Sequence, residues 1–273
     1  MSTRIFIGET VVDAVPANDR GLAYGDGVFE TMRVHAGTLP LWTRHRERLL
    51  HGAGQLGLAL PAIETIEARI AESITGVDSG VLKLLLTRGS GGRGYAPPVM
   101  SMPTWTLSLH PLPSTRVSGL RLHGCETRLA VQPALAGIKH CNRLEQVLAR
   151  AECNAAGCDE GLMQSTAADV VCATAANLLV LREGRWRTPP VDACGVAGVC
   201  RGWLIEEGLL EVTTLSPHDV QSADALALCN ALRGILPVTS LDGEAWPPHA
   251  GVAALQAHLA TAFPMFSGHT EVA

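Results

Sequence analysis

The stretch "AGIKHCNRLEQVLARAE", residues 136–152, holds one of only two lysines in a chain of 273 residues; every other member of its 21 Lys and Arg is arginine. A chain that uses arginine for solvated positive charge, yet keeps lysine at 139, keeps an amine. A primary amine can lose its proton and attack a carbonyl, whereas a guanidinium stays charged and cannot. The residues that follow set its mounting. Asn142 and Glu145, three apart, have the form of an N-cap with a capping box. Leu144, Val147, Leu148 and Ala151 give the i, i+3, i+4, i+7 stripe of an amphipathic helix. Lys139 is therefore expected in an exposed turn just ahead of a helix, a firm mount for a reactive group.

Upstream, "RIFIGETVV" and "VFETMRVHAGTLPLW" read as strands, the second as a pair turned at "HAG". "WTRHRERLLHGAGQLGL" reads as a helix with Leu49, Leu50, Ala53 and Leu56 on one face and Arg44 and Arg48 on a flank. A second helix is expected at 63–74, then a strand at "GVLKLLLTR". "LHPLPSTRVSG", rich in Pro and Ser, is the candidate linker. Downstream, "LRLHGCETRLAV" reads as a strand, with further strands near 161–165, 170–174 and 177–183, a turn at "REGRW" and a helix from about 198. This pattern gives an α/β (α+β) two-domain chain: a small N-terminal α/β domain at 1–110, a linker at 111–120 and a larger C-terminal domain at 121–273.

Hydrophobic content of 47% with 17% charged residues is that of a globular chain, not a disordered one. A formal charge of −5 gives no cause to expect nucleic acid or an anionic membrane as partner. The longest apolar runs are strand-length, and "MSTRIFIGETVV" lacks the form of a signal peptide, so a cytoplasmic location is expected. Eight cysteines, none in CxxC spacing, read as free thiols and not as a metal site or a disulfide framework.

A carbonyl cofactor with a phosphate also needs a cradle. "GVAGVCRGWLIEEG", 195–208, puts Gly195 and Gly198 ahead of a helix beginning near Val199, where free N–H groups and the helix dipole favour an anion. "RGSGGRGY", 88–95, is a second Gly-rich stretch whose arginines suit a carboxylate. Either could equally be an ordinary turn. Lys83, within "VLKLLL", reads as a structural strand lysine that snorkels to solvent.

Taken together, "NDRGLAYGDGVFETMRV" (18–34), "RHRERL" (44–49), "RGSGGRGY", "AGIKHCNRLEQVLARAE" and "CNALRGILPV" (229–238) resemble, in order and over nearly the whole chain, the fold-type IV pyridoxal phosphate enzymes. These are the relatives of D-amino acid and branched-chain aminotransferases. "RGSGGRGY" with "IKHCNRLEQVLAR" most resembles the 4-amino-4-deoxychorismate lyases among them. The resemblance implies a D-amino acid aminotransferase-like fold, pyridoxal 5'-phosphate carried on Lys139, and a homodimer acting on a small-molecule substrate. It makes Arg48 the phosphate arginine, completed by the backbones of Val199, Cys200 and Ala231. It places Arg93 and Tyr95, with Arg88 and Arg143 as weaker candidates, near the substrate carboxylates. The expected reaction is β-elimination of 4-amino-4-deoxychorismate to 4-aminobenzoate and pyruvate. The rivals are a transaminase on the same scaffold and a cofactor-binding protein without turnover.

One position departs from the family pattern. Five residues before Asn177, where relatives have a glutamate beside the cofactor's ring nitrogen, this chain has Cys172. A thiol would replace a carboxylate as counter-ion only as a thiolate, which needs a strongly lowered pKa. Asp169, three residues away, falls on the opposite strand face unless a bulge brings it round. The cysteine favours the lyase, whose product gains aromaticity, over the transaminase.

Overall fold

The computed structural model describes residues 2–113 and 119–269; the expected linker at 111–120 lies partly outside them. The chain forms two compact units, Met1–Pro113 with Ile138–Asn142, and Ser114–Gly137 with Arg143–Ala273. Ile138–Asn142, which carries Lys139, thus groups with the first unit although its flanks belong to the second.

The first unit is built on β1 (Ser2–Ile7), β2 (Thr10–Val12), α1 (Arg20–Tyr24), β3 (Gly27–His35), α2 (Trp42–Leu56), α3 (Ile63–Ile74), β4 (Ser79–Thr87) and β5 (Thr104–His110). Its five strands run antiparallel in the order β2-β1-β5-β4-β3. Alternation along β3 buries Val28, Glu30, Met32 and Val34 and leaves Phe29, Thr31 and Arg33 half-buried. Val28, Met32 and Val34 pack with Leu82, Leu84 and Leu86 of β4, with Leu49 and Ala53 of α2, and with Ile66, Ile70 and Ile74 of α3. Leu50, expected on the same helix face, is instead exposed.

"HAGTLPLW" does not form the expected second strand. Thr38 folds back on His35 through N–H and hydroxyl hydrogen bonds of 3.0 and 2.8 Å. Pro40 then offers no N–H to a ladder, and α2 begins two residues later.

The second unit contains β6 (Leu120–Gly124), α4 (Leu144–Ala155), β7 (Glu160–Gln164), β8 (Val170–Ala173), β9 (Asn177–Arg182), β10 (Arg185–Thr188) and α5 (Val199–Glu206). It continues through β11 (Glu211–Val212), α6 (Pro217–Gln221), β12 (Ala225–Asn230), β13 (Gly234–Leu241), β14 (Glu244–Ala245) and α7 (Ala250–Ala262). Strands β9-β12-β13-β6-β7-β8 form a path whose ends also pair, β8 with β9, so six strands close into a barrel. Closure removes the exposed edges that an open sheet would present. Leu122, Leu162, Leu178, Val180, Leu226, Leu228 and Leu236 belong to one core cluster contributed by these strands.

Strand β6 is shorter than "LRLHGCETRLAV". Beyond Gly124 the N–H groups of Glu126 and Thr127 donate to the Glu152 carboxylate at 2.6 and 3.1 Å, which takes them out of a strand ladder. The expected capping box is also absent. The N-cap of α4 is Arg143, without a side-chain cap. Asn142 donates instead to the Gly25 carbonyl at 3.2 Å, and the Glu145 carboxylate accepts the Ala130 N–H at 2.8 Å. The α4 stripe faces outward: Leu144, Val147 and Leu148 are 77%, 60% and 58% exposed, while Ala149 and Cys153 are buried.

Candidate active site

In the first unit the alternation of β3 creates both faces of the site. Glu30 falls on the core face, where a lone carboxylate would be costly. Helix α2 brings two partners to it. Arg48 donates from Nε to Oε1 at 2.8 Å and from Nη2 to Oε2 at 2.5 Å, a bidentate pair, and His45 Nδ1 lies 2.6 Å from Oε2. Burial pushes the Glu30 carboxyl up, but the Arg48 charge and the hydrogen bonds from Arg48 and His45 outweigh it and bring it down to about 2. Burial holds His45 below its usual value, so the ring is neutral at pH 7 and donates Nδ1–H to Glu30; its Nε2 is buried without a hydrogen-bond partner. Arg48, assigned to the cofactor phosphate by the family motif, is thus held by a carboxylate that sequence inspection passed over.

The opposite face of β3 carries Phe29. The Lys139 segment pairs with the start of this strand: Phe29 N–H donates to the Lys139 carbonyl and Cys141 N–H to the Gly27 carbonyl, both at 2.9 Å. Glycine is required at 27 by the neighbouring strand β4, where a Cβ would lie 2.5 Å from the Leu86 carbonyl oxygen, and it also leaves room for Cys141, whose Sγ would lie 3.3 Å from that Cβ. The Lys139 Nζ lies 4.4 Å from the centre of the Phe29 ring, and the Lys83 Nζ lies 5.3 Å from the same centre. Lys83 is thus a half-buried strand residue whose Nζ stands over the same ring as that of Lys139.

The glycine-rich loop separates its arginines by role. Arg93 and Tyr95 are exposed. Arg88 is committed: Nε and Nη2 donate to Asp26 at 2.7 and 3.1 Å, Nη2 also to the Leu56 carbonyl and Nη1 to the Gly57 carbonyl, both at 2.7 Å. With its donors so used, Arg88, a weaker candidate from sequence for the substrate carboxylates, holds the base of the loop.

In the second unit, the turn before α5 is held from both sides. The Gly137 N–H donates to the Gly195 carbonyl at 3.1 Å, and the Ala197 N–H donates to the Gly137 carbonyl at 2.8 Å. Asn177 Nδ2 donates to the Val196 carbonyl at 2.9 Å. A Cβ at Gly198 would lie 2.0 Å from Asn177 Oδ1, so the glycine is required there by close approach. Gly198 caps α5 without a side-chain hydrogen bond, which leaves the N–H groups at Val199 and Cys200 in the arrangement that favours a phosphate. Asn230 fixes a second turn, its Oδ1 accepting the Leu232 and Arg233 N–H groups at 3.0 and 2.9 Å around Ala231. The donor set suits a phosphate, and a lysine of this mounting suits a carbonyl, so the residues present fit pyridoxal phosphate.

Cys172 sits on β8 opposite Asn177, 7% exposed. Burial, followed by the neighbouring Cys194, pushes its thiol up to about 12, so it is a neutral thiol and not the thiolate that could replace a carboxylate. The register does slip between β7 and β8, with Met163 facing Cys172 and Gln164 facing Val170. The slip does not rescue Asp169, which stays exposed. Arg143 is half-buried at the start of α4, and its charge acts on Cys172.

An Amino-transferase class IV profile matches residues 27–241. The chain belongs to that family, whose members are pyridoxal phosphate-dependent enzymes of fold type IV. It is 35% identical to the aminodeoxychorismate lyase of Vibrio harveyi, covering 83% of this chain and 87% of that one. It is also 31% identical to a putative branched-chain-amino-acid aminotransferase of Methanocaldococcus jannaschii, over 88% of each. The crystal structure of 4-amino-4-deoxychorismate lyase from Pseudomonas aeruginosa superposes with a TM-score of 0.86 at 42% identity, over 94% of this chain and 98% of that chain.

Proposed function

We propose that the protein is a pyridoxal phosphate-dependent lyase that converts 4-amino-4-deoxychorismate to 4-aminobenzoate and pyruvate. The observation that carries this reading is the likeness to the Pseudomonas aeruginosa lyase, at 42% identity with 94% of the chain covered. When bound, the cofactor supplies an electron sink for the carbon that bears the substrate nitrogen. The chain's own residues do the rest. Lys139 carries the cofactor and, once released from it, takes the proton from that ring carbon. The C–O bond to the enolpyruvyl group then breaks, the departing oxygen leaves as pyruvate after gaining a proton, and the six-membered ring becomes aromatic. Atoms balance without water or an external oxidant.

The phosphate is assigned to Arg48, braced by Glu30, and to the backbones of Val199, Cys200 and Ala231. The substrate bears two carboxylates, for which Arg93 and Tyr95 are the assigned partners, with Arg143 and Lys83 as further candidates. The two units correspond on this reading to the small and large domains of the family. A second copy of the chain is assigned to the exposed α4 stripe, since three large apolar side chains in a row seldom face water on a monomer. All eight cysteines are free thiols, which fits a reducing, cytoplasmic setting. Among the described residues no helix is long and apolar enough to cross a membrane.

A transaminase is the second reading, favoured by the 31% identity to the Methanocaldococcus jannaschii relative. Pyruvate release from 4-amino-4-deoxychorismate, followed with lactate dehydrogenase, separates them from each other and from a cofactor carrier without turnover. No pyruvate, with oxo-acid formed from an amino donor, would replace the lyase by a transaminase. Neither product from cofactor-loaded protein would leave the carrier.

A further inference from the structure

We propose that Arg20 is a positioning residue for substrate binding, its buried guanidinium fixing the glycine-rich loop so that Arg93 stands ready for a substrate carboxylate. What the loop binds rests on the proposed function; how the loop is held does not.

Arg20 opens α1 and is 5% exposed, an unusual place for a cation unless its donors are used. They are used on the loop. Nη1 donates to the carbonyls of Gly94 at 3.1 Å and Ala96 at 3.4 Å, and Nη2 to that of Tyr95 at 2.9 Å. Three successive carbonyls just after Arg93 are thus gripped by one planar group. Nε donates to Asp26 Oδ2 at 2.8 Å, the same carboxylate that holds Arg88 at the base of the loop. Asp26 is kept below its usual range although burial opposes it, because Arg88 and Arg20 together outweigh that cost. The main chain is tied as well, Arg20 N–H to the Gly89 carbonyl at 2.9 Å and Gly91 N–H to the Asn18 carbonyl at 3.1 Å. The Arg20 guanidinium also lies 4.9 Å from the Tyr24 ring centre, and the Tyr24 and Tyr95 rings are 5.5 Å apart.

A loop with glycines at 89, 91, 92 and 94 samples many conformations, and ordering it on binding would weaken affinity. Here the order is supplied beforehand, from inside, while the Arg93 side chain remains in solvent. Only arginine suits this role. Lysine could keep the charge beside Asp26 but could not read three carbonyls in a plane.

Two substitutions release the loop from opposite sides. Arg20→Lys removes the grip. Gly91→Ala leaves Arg20 in place but sets a Cβ 2.7 Å from its Cδ, so that arginine and loop must part. Gly92→Ala is the control, since its Cβ would meet nothing within 4 Å. Tryptic cleavage after Arg93, followed by mass spectrometry on the cofactor-loaded protein, should quicken about tenfold or more in the first two, the scale of one lost hydrogen bond to a charged group. The control should be cut no faster than the wild type. KM for the lyase substrate should rise about tenfold or more in both, with kcat within about threefold and the cofactor absorbance unchanged. Folded variants with wild-type cleavage rates would overturn the latch. Faster cleavage with unchanged KM, or a loss confined to kcat, would overturn its role in substrate binding. A wild type that releases no pyruvate would bring down the proposed function, and the latch would still stand or fall on the cleavage rates.

Discussion

Replacing Glu30 by Gln perturbs the one charge that β3 places inside its core. The Glu30 carboxylate is 1% exposed, paired bidentately with Arg48 and hydrogen-bonded to a neutral His45. Carried from 4.5 when unfolded to about 2 when folded, and at about 1.4 kcal/mol per tenfold, it contributes about 3 kcal/mol at neutral pH. Because the folded value lies below the unfolded one, this contribution is complete above about pH 4.5 and drains away as pH falls towards 2. His45 adds to the loss, since burial keeps it neutral in the folded state and it takes up a proton on unfolding below 6.5. Urea unfolding of the cofactor-free protein from pH 7 to pH 3 reads both. In Glu30→Gln the stability at pH 7 should drop by about 3–5 kcal/mol, because the half-buried Arg48 loses its bidentate carboxylate. The fall in stability below pH 4.5 should also be shallower than in the wild type. A folded variant with wild-type stability at pH 7 and an undiminished acid slope would refute the claim that Glu30 is ionised and paired.

Other substitutions separate the remaining roles. Lys139→Arg should abolish the yellow absorbance of the loaded protein and its covalent fixation by borohydride, since a guanidinium does not condense with the cofactor carbonyl; label mapping to Lys83 would reverse the assignment. Arg48→Ala should weaken cofactor binding by about 1.5–3 kcal/mol, measured by equilibrium dialysis, and wild-type affinity would remove Arg48 from the phosphate site. Cys172→Glu, if folded and loaded, should alter the pH response of the cofactor absorbance and raise side transamination more than pyruvate release; an unaltered spectrum and ratio would show that residue 172 is not beside the ring nitrogen. Leu144→Asp with Leu148→Asp should shift the mass by light scattering from two chains to one, and a doubly substituted dimer would move the interface elsewhere.

Periodic elements were legible in the sequence because their own burial pattern defines them. Helices α2 and α3, strands β4 and β7 to β9, and the start of α5 lie within a residue or two of where alternation and the 3.6-residue repeat put them. Two failures have one cause, a side chain taken by a distant segment. Asn142 is a good N-cap by type, but Gly25 claims it from 117 positions away. Glu152 draws off the N–H groups that would have prolonged β6. Barrel closure is likewise invisible locally, since it depends on β8 meeting β9 and on the parallel pairs of β6. Glu30 was the detectable miss. In "VFETMRV" the alternation that buries Val28 and Met32 must bury the carboxylate between them, and a buried carboxylate demands a cation such as the one in "HRER". Lys83 was legible as a strand lysine, but not the Phe29 ring that reaches its face from the neighbouring strand.

The electrostatics around Cys172 bear on why a lyase, in particular, can tolerate it. At the position that the family motif assigns to the ring nitrogen, a carboxylate would keep a proton on that nitrogen and strengthen the electron sink. The thiol here is pushed up to about 12 by burial and by Cys194, and the Arg143 charge does not reverse that. As a neutral thiol it offers no negative charge to a protonated ring nitrogen. A transaminase leans on the sink twice, once to release the proton and again to hold the charge until a proton returns at another carbon. An elimination leans on it once, because the leaving oxygen carries the electron pair away. When the product is an aromatic amine, ring formation lowers the barrier that a weaker sink would otherwise raise. The substitution is thus most costly for transfer between amino and oxo acids and least costly for the release of 4-aminobenzoate. In this chain the neutral cysteine beside an intact Lys139 mount therefore favours a reaction of the second kind.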